Sequence, residues 1–226
     1  GYEALEFAGP AVGTMSMRAR MTLCNMSAEL GAQAGLIAPD AVTAAWLDDR
    51  APHRSRVDGV DDSHWTSDAD SHDGTRFNLD LDSLAPQAAA PHSPANAAAI
   101  TDHESPHFTV AYIGACTGAK LDDLRAAAGM LKGRTVTSGT RLLVAPASRA
   151  DQTQAAEEGV MATLETAGAT ILPTACGMCA GYGPNRLAAD DVCISSTARN
   201  FRGRMGAPGS RVWLASPASV AAAAAT

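Results

Sequence analysis

The most regular alternation of apolar and polar segments in this chain runs from residue 108 to its end. Continuous apolar runs such as FTVAYIGA (108–115) are typical of strands buried on both faces of a parallel sheet. Segments with helical periodicity, such as LDDLRAAAGMLK (121–132), follow them. Because strands alternate with helices, this half predicts an α/β fold with a doubly wound, mostly parallel sheet.

The same pattern continues through the rest of this half. Further strands are predicted at RLLVAPA (141–147), ATILP (169–173), DVCIS (191–195) and VWLAS (212–216). Residues 151–168 are predicted to form one long amphipathic helix, and 217–225 a final helix.

The beginning of the chain predicts a short strand and a capped helix. EALEF (3–7) alternates like a strand, and Ser16 can cap a helix through residues 17–33. This helix carries a polar stripe at helical spacing, made of Arg18, Thr22, Asn25 and Glu29. By itself such a stripe indicates a solvated face.

Residues 39–106 have a different texture, in which Asp, Ser, His, Pro and Ala dominate. They include one strand-like stretch, FNLDLD (77–82). We therefore interpret the segment as a loop-rich connection. The chain is expected to form two α/β domains, residues 1–105 and 106–226.

Composition and charge narrow the class of protein. Of 226 residues, 46% are hydrophobic and 18% charged, so the chain can bury a sizeable core. The formal charge of -7 argues against nucleic-acid binding. No apolar run is long enough to span a membrane, and the first residues do not resemble a signal peptide. The cysteine count is five, an odd number that argues against a disulfide framework and favours a reducing, cytoplasmic setting.

Three cysteines are expected to converge although they are far apart in sequence. Cys116 follows the first strand of the regular half, and Cys176 and Cys179 follow the third. The carboxyl ends of parallel strands lie at one edge of a sheet, where ligands bind. Three thiolates there suit an iron–sulfur cluster with one incompletely protected iron, which can act as a Lewis acid.

Two alternatives use the same residues. Zinc would need a fourth ligand, from Cys193 or a histidine. A redox pair of Cys176 and Cys179 leaves Cys116 unexplained. Downstream, STARNFRGRMG (196–206) contains Arg199, Arg202 and Arg204, and such a cluster suits a polycarboxylate substrate or a basic surface loop.

These motifs together resemble the aconitase superfamily. The resemblance rests on the blocks EFAGPAVGTMSMRARMTLCNMSAELGAQAG, IGACTGAKLDDLRAAAGMLKGR, ACGMCAG, STARNFRGRMG and SPASVAAAA. It is greatest to the large subunits of the 3-isopropylmalate dehydratase and homoaconitase group. It covers residues 1–38 and 108–226 well and the middle loosely.

The resemblance implies a role for each matching residue. Cys116, Cys176 and Cys179 would bind a [4Fe-4S] cluster. Glu29 and Asn25 match the family's cluster-side pair in CNM-x-x-E, so the polar stripe would face the site rather than solvent. Arg199 and Arg204 match the arginines that hold substrate carboxylates.

The implied reaction is a hydro-lyase reaction on a hydroxy di- or tricarboxylic acid. The first expectation is the interconversion of 3-isopropylmalate and 2-isopropylmalate in leucine biosynthesis. The alternatives are a homoaconitase, a 2,3-dimethylmalate-dehydratase-like enzyme, or a catalytically incomplete iron–sulfur or zinc-binding module.

The sequence also departs from the family pattern. Ala198 stands where the family commonly has Asn, and GACTGAK replaces the S-C-T-N-S form. The family's Asp-Ser-His segment precedes the Glu29 block, so the Asp-Ser-His triplet at residues 70–72, which follows that block, is interpreted as coincidence. The family's small swivel-domain subunit, which supplies a serine base, is also absent from this sequence. The chain is therefore expected to be the last part of a large subunit and inactive by itself.

Overall fold

The computed structural model describes residues 3–50, 65–68, 70–71 and 74–226. The chain divides into two compact units, Gly1–Leu84 and Ala85–Thr226. The predicted domains were 1–105 and 106–226. The division lies earlier because two strands between residues 85 and 105 belong to the sheet of the second unit.

In its described residues, the first unit contains a small parallel strand pair and three helices. Strands β1 and β2 pair in parallel with Ala4 opposite Ala34. The elements are β1 (Ala4–Glu6), α1 (Pro10–Thr14), α2 (Met17–Met26), a 3-10 turn (Ser27–Leu30), β2 (Ala34–Leu36) and α3 (Ala41–Arg50). The Ser16 hydroxyl accepts a hydrogen bond from the Ala19 amide at 3.3 Å, so the predicted cap of α2 is confirmed.

The second unit is built on a seven-stranded sheet, in the order β4-β3-β9-β8-β5-β6-β7. Its strands are β3 (Gln87–Ala89), β4 (Ala97–Ala99), β5 (Val110–Ile113), β6 (Arg141–Val144), β7 (Thr170–Ile171), β8 (Val192–Ser195) and β9 (Arg211–Ala215). Its helices are α4 (Ala115–Gly118), α5 (Leu121–Leu131), α6 (Arg149–Glu157), α7 (Val160–Thr166) and α8 (Pro217–Ala224). Strands β5 to β9 are parallel, which confirms the α/β class and the mostly parallel sheet.

The sheet has a core on each face, because successive side chains of a strand point to opposite sides. One core joins Ala111 and Ile113 of β5 to the buried faces of α5, α6, α7 and α8. The other joins Val110 and Tyr112 to side chains from non-helical segments. In the described part of the second unit, the face opposite the helices is therefore covered by the segments that contain the candidate cysteines and arginines.

Two predictions about individual elements were wrong. Residues 77–82 form no strand within the described chain. The surrounding segment, residues 39–106, also contains α3 and the antiparallel pair of β3 and β4. The long helix predicted over 151–168 is two helices, α6 and α7, because Gly159 between them has a φ of 74°. Within the described residues, no helix is long and apolar enough to cross a membrane.

Candidate functional site

The segment that contains Cys116 is hydrogen-bonded to the residue that follows the neighbouring strand β8. Short helix α4 begins directly after β5, and the Cys116 side chain is exposed. The Ser196 hydroxyl, just after β8, accepts a hydrogen bond from the Gly114 amide at 3.0 Å and donates one to the Gly118 carbonyl at 2.8 Å. A Cβ at Gly118 would overlap Ser196, so glycine permits this close contact.

Cys176 and Cys179 lie in a tight turn after β7. The Cys179 amide donates to the Cys176 carbonyl at 2.9 Å, and the 3-10 turn Gly177–Ala180 ends at Gly181 with a φ of 76°. Met178 between the cysteines is 2% exposed and belongs to the core opposite the helices. Burial of a methionine side chain stabilises the folded state by about 1.5–3 kcal/mol, so Met178 anchors the turn against the sheet.

The arginine segment follows β8 and contacts the cysteine turn. Arg204 Nε donates a hydrogen bond to the Cys179 carbonyl at 3.0 Å. Asn200, 1% exposed, donates to the Ala90 carbonyl at 2.7 Å and to the Val212 carbonyl at 3.1 Å. Asn200 therefore fixes the backbone next to Arg199, which is half-buried.

The electrostatics of Cys179 indicate that the three thiols are neighbours. Burial raises the pKa of Cys179 above its ordinary value, and the Arg204 guanidinium opposes this rise. The thiols of Cys116 and Cys176 raise the same pKa further. The segments that follow β5 and β7 therefore lie close enough for their cysteines to interact electrostatically.

The three side chains do not form a ready-made site for a single ion. In the described part of the chain, no group of three His, Cys, Asp or Glu residues is arranged to hold one. A four-iron cluster makes a different demand, since each thiolate binds a separate iron. Two exposed thiols and one half-buried thiol on neighbouring loops fit that donor set.

The fourth ligand that zinc would need is not provided by Cys193. This residue lies within β8, is fully buried and belongs to the core opposite the helices. Burial raises the pKa of its thiol far above the ordinary range. Cys193 is therefore an inert core residue. None of the five cysteines, all of them described, forms a disulfide.

Asn25 and Glu29 lie in the first unit. Asn25 is exposed near the end of α2, and Glu29 is half-buried in the 3-10 turn that follows. Ser27 fixes this turn through a hydrogen bond from its hydroxyl to the Cys24 carbonyl at 2.9 Å. The turn places Glu29 one helical turn beyond Asn25, as the spacing predicted, and their predicted roles stay predictions.

The first unit also contains an open cleft of about 510 Å³. Its lining residues are Glu6, Leu36, Ile37, Pro39, Trp65, Thr66 and Ser67. The Ser67 hydroxyl donates to Glu6 Oε2 at 2.6 Å across it. None of the predicted site residues lines this cleft, so we assign it no part in the chemistry.

Two residues of the thiol site were missed by sequence reasoning, Ser196 and Tyr112. Ser196 is recognisable only once β8 is known to lie beside β5. Tyr112 sits within an apolar strand, where a core role is the default. Burial raises the pKa of its hydroxyl, and the thiols of Cys179, Cys176 and Cys193 add to the rise. Its hydroxyl therefore lies near the cysteine turn.

A parallel sheet with thiols and arginines gathered at its carboxyl edge defines an α/β protein with a ligand site at that edge. The profile of the Aconitase family (aconitate hydratase) matches residues 2–109 and 101–226. The chain belongs to this family.

Three curated relatives give the relationship in more detail. The chain is 39% identical over 99% of its length to a 3-isopropylmalate dehydratase large subunit 2 of Archaeoglobus fulgidus, of which it covers 52%. It is 40% identical over 100% of its length to a probable methanogen homoaconitase large subunit of Methanosarcina mazei, covering 55%. It is 40% identical over 99% of its length to a 3-isopropylmalate dehydratase large subunit of Oleidesulfovibrio alaskensis, covering 51%. The chain spans about half the length of the curated relatives it matches.

Proposed function

We propose that this chain is part of the large subunit of a [4Fe-4S]-dependent hydro-lyase acting on a hydroxy di- or tricarboxylic acid. The favoured reaction is the interconversion of 3-isopropylmalate and 2-isopropylmalate in leucine biosynthesis, in the reducing cytoplasm. The observation that carries the proposal is the meeting of Cys116, Cys176 and Cys179 with Arg204 at one sheet edge. The names of two of the three relatives described above support the choice of substrate.

Cys116, Cys176 and Cys179 are the residues that would hold the cluster. When bound by three cysteines, such a cluster supplies an iron with an open position that can act as a Lewis acid toward a substrate oxygen. The protein holds the cysteine segments by Ser196 on one side and by buried Met178 on the other.

Arg199 and Arg204 bind and orient the substrate carboxylates. The Arg204 guanidinium is anchored through Nε, so its two terminal nitrogens can donate a two-pronged hydrogen bond to a carboxylate. Arg199 is half-buried one residue before Asn200, which fixes the local backbone. Holding the substrate in one orientation lowers the barrier to a reaction at its neighbouring carbon atoms.

Glu29 and Asn25 act on the substrate hydroxyl. Glu29 holds or transfers a proton at the hydroxyl oxygen that leaves and returns, and Asn25 orients it. The proton alpha to the carboxylate is taken by a base outside this chain. We assign that base to the small swivel-domain subunit, because the relatives are named large subunits. This chain is therefore expected to bind substrate without turning it over.

A homoaconitase is the second candidate, favoured by the Methanosarcina mazei relative at 40% identity. Both enzymes would use the same cluster and arginines, and a 2,3-dimethylmalate-dehydratase-like enzyme is a third member of this class. A catalytically incomplete module is the remaining alternative. Ala198, which stands beside Arg199 in place of the family's Asn, favours it.

Cluster content tests the proposal directly. The chain is reconstituted anaerobically with iron and sulfide, and about four of each per chain are expected. Cys116→Ala should abolish this stoichiometry. Cys24→Ala, which removes a thiol from helix α2, should retain it. Zinc without sulfide, or no metal in either form, would contradict the proposal.

Substrate choice is tested on the reconstituted chain by calorimetric titration with 3-isopropylmalate, homocitrate and citrate. The tightest binding is expected for 3-isopropylmalate, and Arg199→Lys should weaken it roughly 10-fold because a two-pronged contact is lost. Arg211→Lys, at the exposed start of β9, is the control and should bind as the unaltered chain does. Tighter binding of homocitrate would favour the second candidate.

A further inference from the structure

Tyr112 presents a buried polar atom that the fold itself does not use. The side chain is 0% exposed at the carboxyl end of β5. Its hydroxyl oxygen is buried and makes no hydrogen bond within the described chain. The Cys179 amide lies beside this oxygen but donates to the Cys176 carbonyl at 2.9 Å. A buried hydroxyl without a partner destabilises a fold, so it calls for an explanation.

The Tyr112 ring lies where the segments of the thiol site meet. A Cβ at Gly114, at the start of the Cys116 segment, would overlap the ring and its hydroxyl. The ring also shares a core with Met178 of the cysteine turn and with Met205 of the arginine segment, and Cys179 packs against that core. The hydroxyl is thus the polar tip of a side chain aimed from the sheet toward the cysteines.

We propose that the Tyr112 hydroxyl donates a hydrogen bond to the sulfur of Cys179 when that sulfur is bound to the cluster. The proposal rests on the cluster site proposed above. It makes Tyr112 a positioning residue, which acts on the cluster through Cys179. The phenol is a donor at neutral pH, and an iron-bound thiolate is a sulfur acceptor close to it.

Two consequences distinguish this role from simple packing. Hydrogen bonds to cluster sulfurs help to set the reduction potential, and their removal makes the potential more negative. Residues that support metal ligands typically change metal affinity 10–100-fold when they are replaced. A tyrosine that only filled the core would do neither, and phenylalanine would serve there at least as well.

The test compares Tyr112→Phe with Tyr182→Phe. Both variants lose one phenolic oxygen, but Tyr182 is 72% exposed, just after the same cysteine turn. Before reconstitution, Tyr112→Phe should unfold at the same temperature as the unaltered chain or higher. This measurement separates a cluster effect from a folding defect.

After anaerobic reconstitution, the rate of iron loss to a chelator and the midpoint potential of the cluster are measured. Tyr112→Phe should lose iron roughly 10-fold faster and have a more negative midpoint, while Tyr182→Phe should match the unaltered chain. Equal rates and potentials in all three proteins would overturn the role of Tyr112 and leave the cluster in place. If the unaltered chain takes up no iron and sulfide, the cluster site fails and the role of Tyr112 with it.

Discussion

Ala115, directly before Cys116, adopts a backbone conformation that alanine rarely takes. Its φ is 73°, in the left-handed region. For residues with a Cβ this region costs roughly 1–2 kcal/mol. Backbone strain of this kind is concentrated at functional sites, and here it adjoins a proposed cluster ligand.

Replacement of Ala115 by glycine should remove this strain. Ala115→Gly is expected to raise the free energy of unfolding by up to about 1 kcal/mol, because the relief exceeds the entropy that glycine adds to the unfolded chain. Ala115→Val should lower it by roughly 2 kcal/mol, since β-branching is least tolerated there. Urea unfolding followed by circular dichroism measures both, and the opposite order would contradict the assigned conformation.

In the first unit, an ion pair joins α2 to the start of α3. Arg20 is 2% exposed, and its two terminal nitrogens donate to the two oxygens of Asp40, each at 2.7 Å. These hydrogen bonds are the main reason that the pKa of Asp40 falls to about 2. Asp40 also caps α3 through the amides of Val42 and Thr43.

The pair predicts a pH dependence of stability. A carboxyl whose pKa is lowered on folding stabilises the fold above its unfolded pKa of about 3.9, and this stabilisation is lost as the pH falls through 2. Asp40→Asn should cost about 1–2 kcal/mol at pH 7, allowing for solvent screening of a side chain that is 39% exposed. The difference in the free energy of unfolding between Asp40→Asn and the unaltered chain should disappear toward pH 2.

Urea unfolding at pH 7, 4 and 2.5 checks this expectation. Asp49→Asn, an exposed carboxyl at the end of the same helix, is the control and should change stability little at any of these values. If Asp40→Asn lowers the free energy of unfolding by the same amount at all three pH values, the ion pair is not the cause of its effect.

At the scale of elements, the sequence pattern predicted the strands that are buried on both faces. It did not predict the short alanine strands or the helix break, which leave no periodic pattern of apolar residues. Strands β5, β6, β8 and β9 were predictable because apolar runs mark strands buried on both faces. Strands β3 and β4 were missed, since their alanines carry no periodic signal. The break at Gly159 depends on a positive φ, which helical periodicity cannot show.

The break between α6 and α7 can be tested by two matched glycine substitutions. A Cβ at Gly159 or at Gly129 would meet nothing within 4 Å, so crowding plays no part in either case. Gly159→Ala should cost about 1 kcal/mol because of its φ of 74°. Gly129→Ala, inside α5, should stabilise by about 0.5–1 kcal/mol. Thermal unfolding compares them, and stabilisation by Gly159→Ala would favour one continuous helix.

At the scale of the whole molecule, the two units differ in how they are held together. All the buried apolar side chains found in the described residues belong to the second unit. The described part of the first unit buries only Arg20 and Ser27. The cysteine site was predictable because strand topology alone brings Cys116, Cys176 and Cys179 together. Tyr112 was not, because its role depends on the packing of three loops.

This difference predicts how the units behave when separated. A fragment of residues 85–226 should fold cooperatively, since it contains both cores of its sheet. A fragment of residues 1–84 should show no cooperative thermal transition, because its described residues bury no apolar side chain. Circular dichroism during heating distinguishes them, and a fragment 85–226 without a transition would contradict the division.

The hydrogen bond between Ser196 and the Cys116 segment affects when this segment can fold during protein synthesis. The Gly114 amide and its Ser196 partner are 82 residues apart along the chain. During synthesis from the N-terminus, Cys116 emerges long before the strand that anchors it. The hydrogen bonds of Ser196 to this segment therefore form only after β8 has emerged and joined β5. Insertion of the iron and sulfide of the proposed cluster would then follow translation of β8, as a maturation step on a sheet already formed.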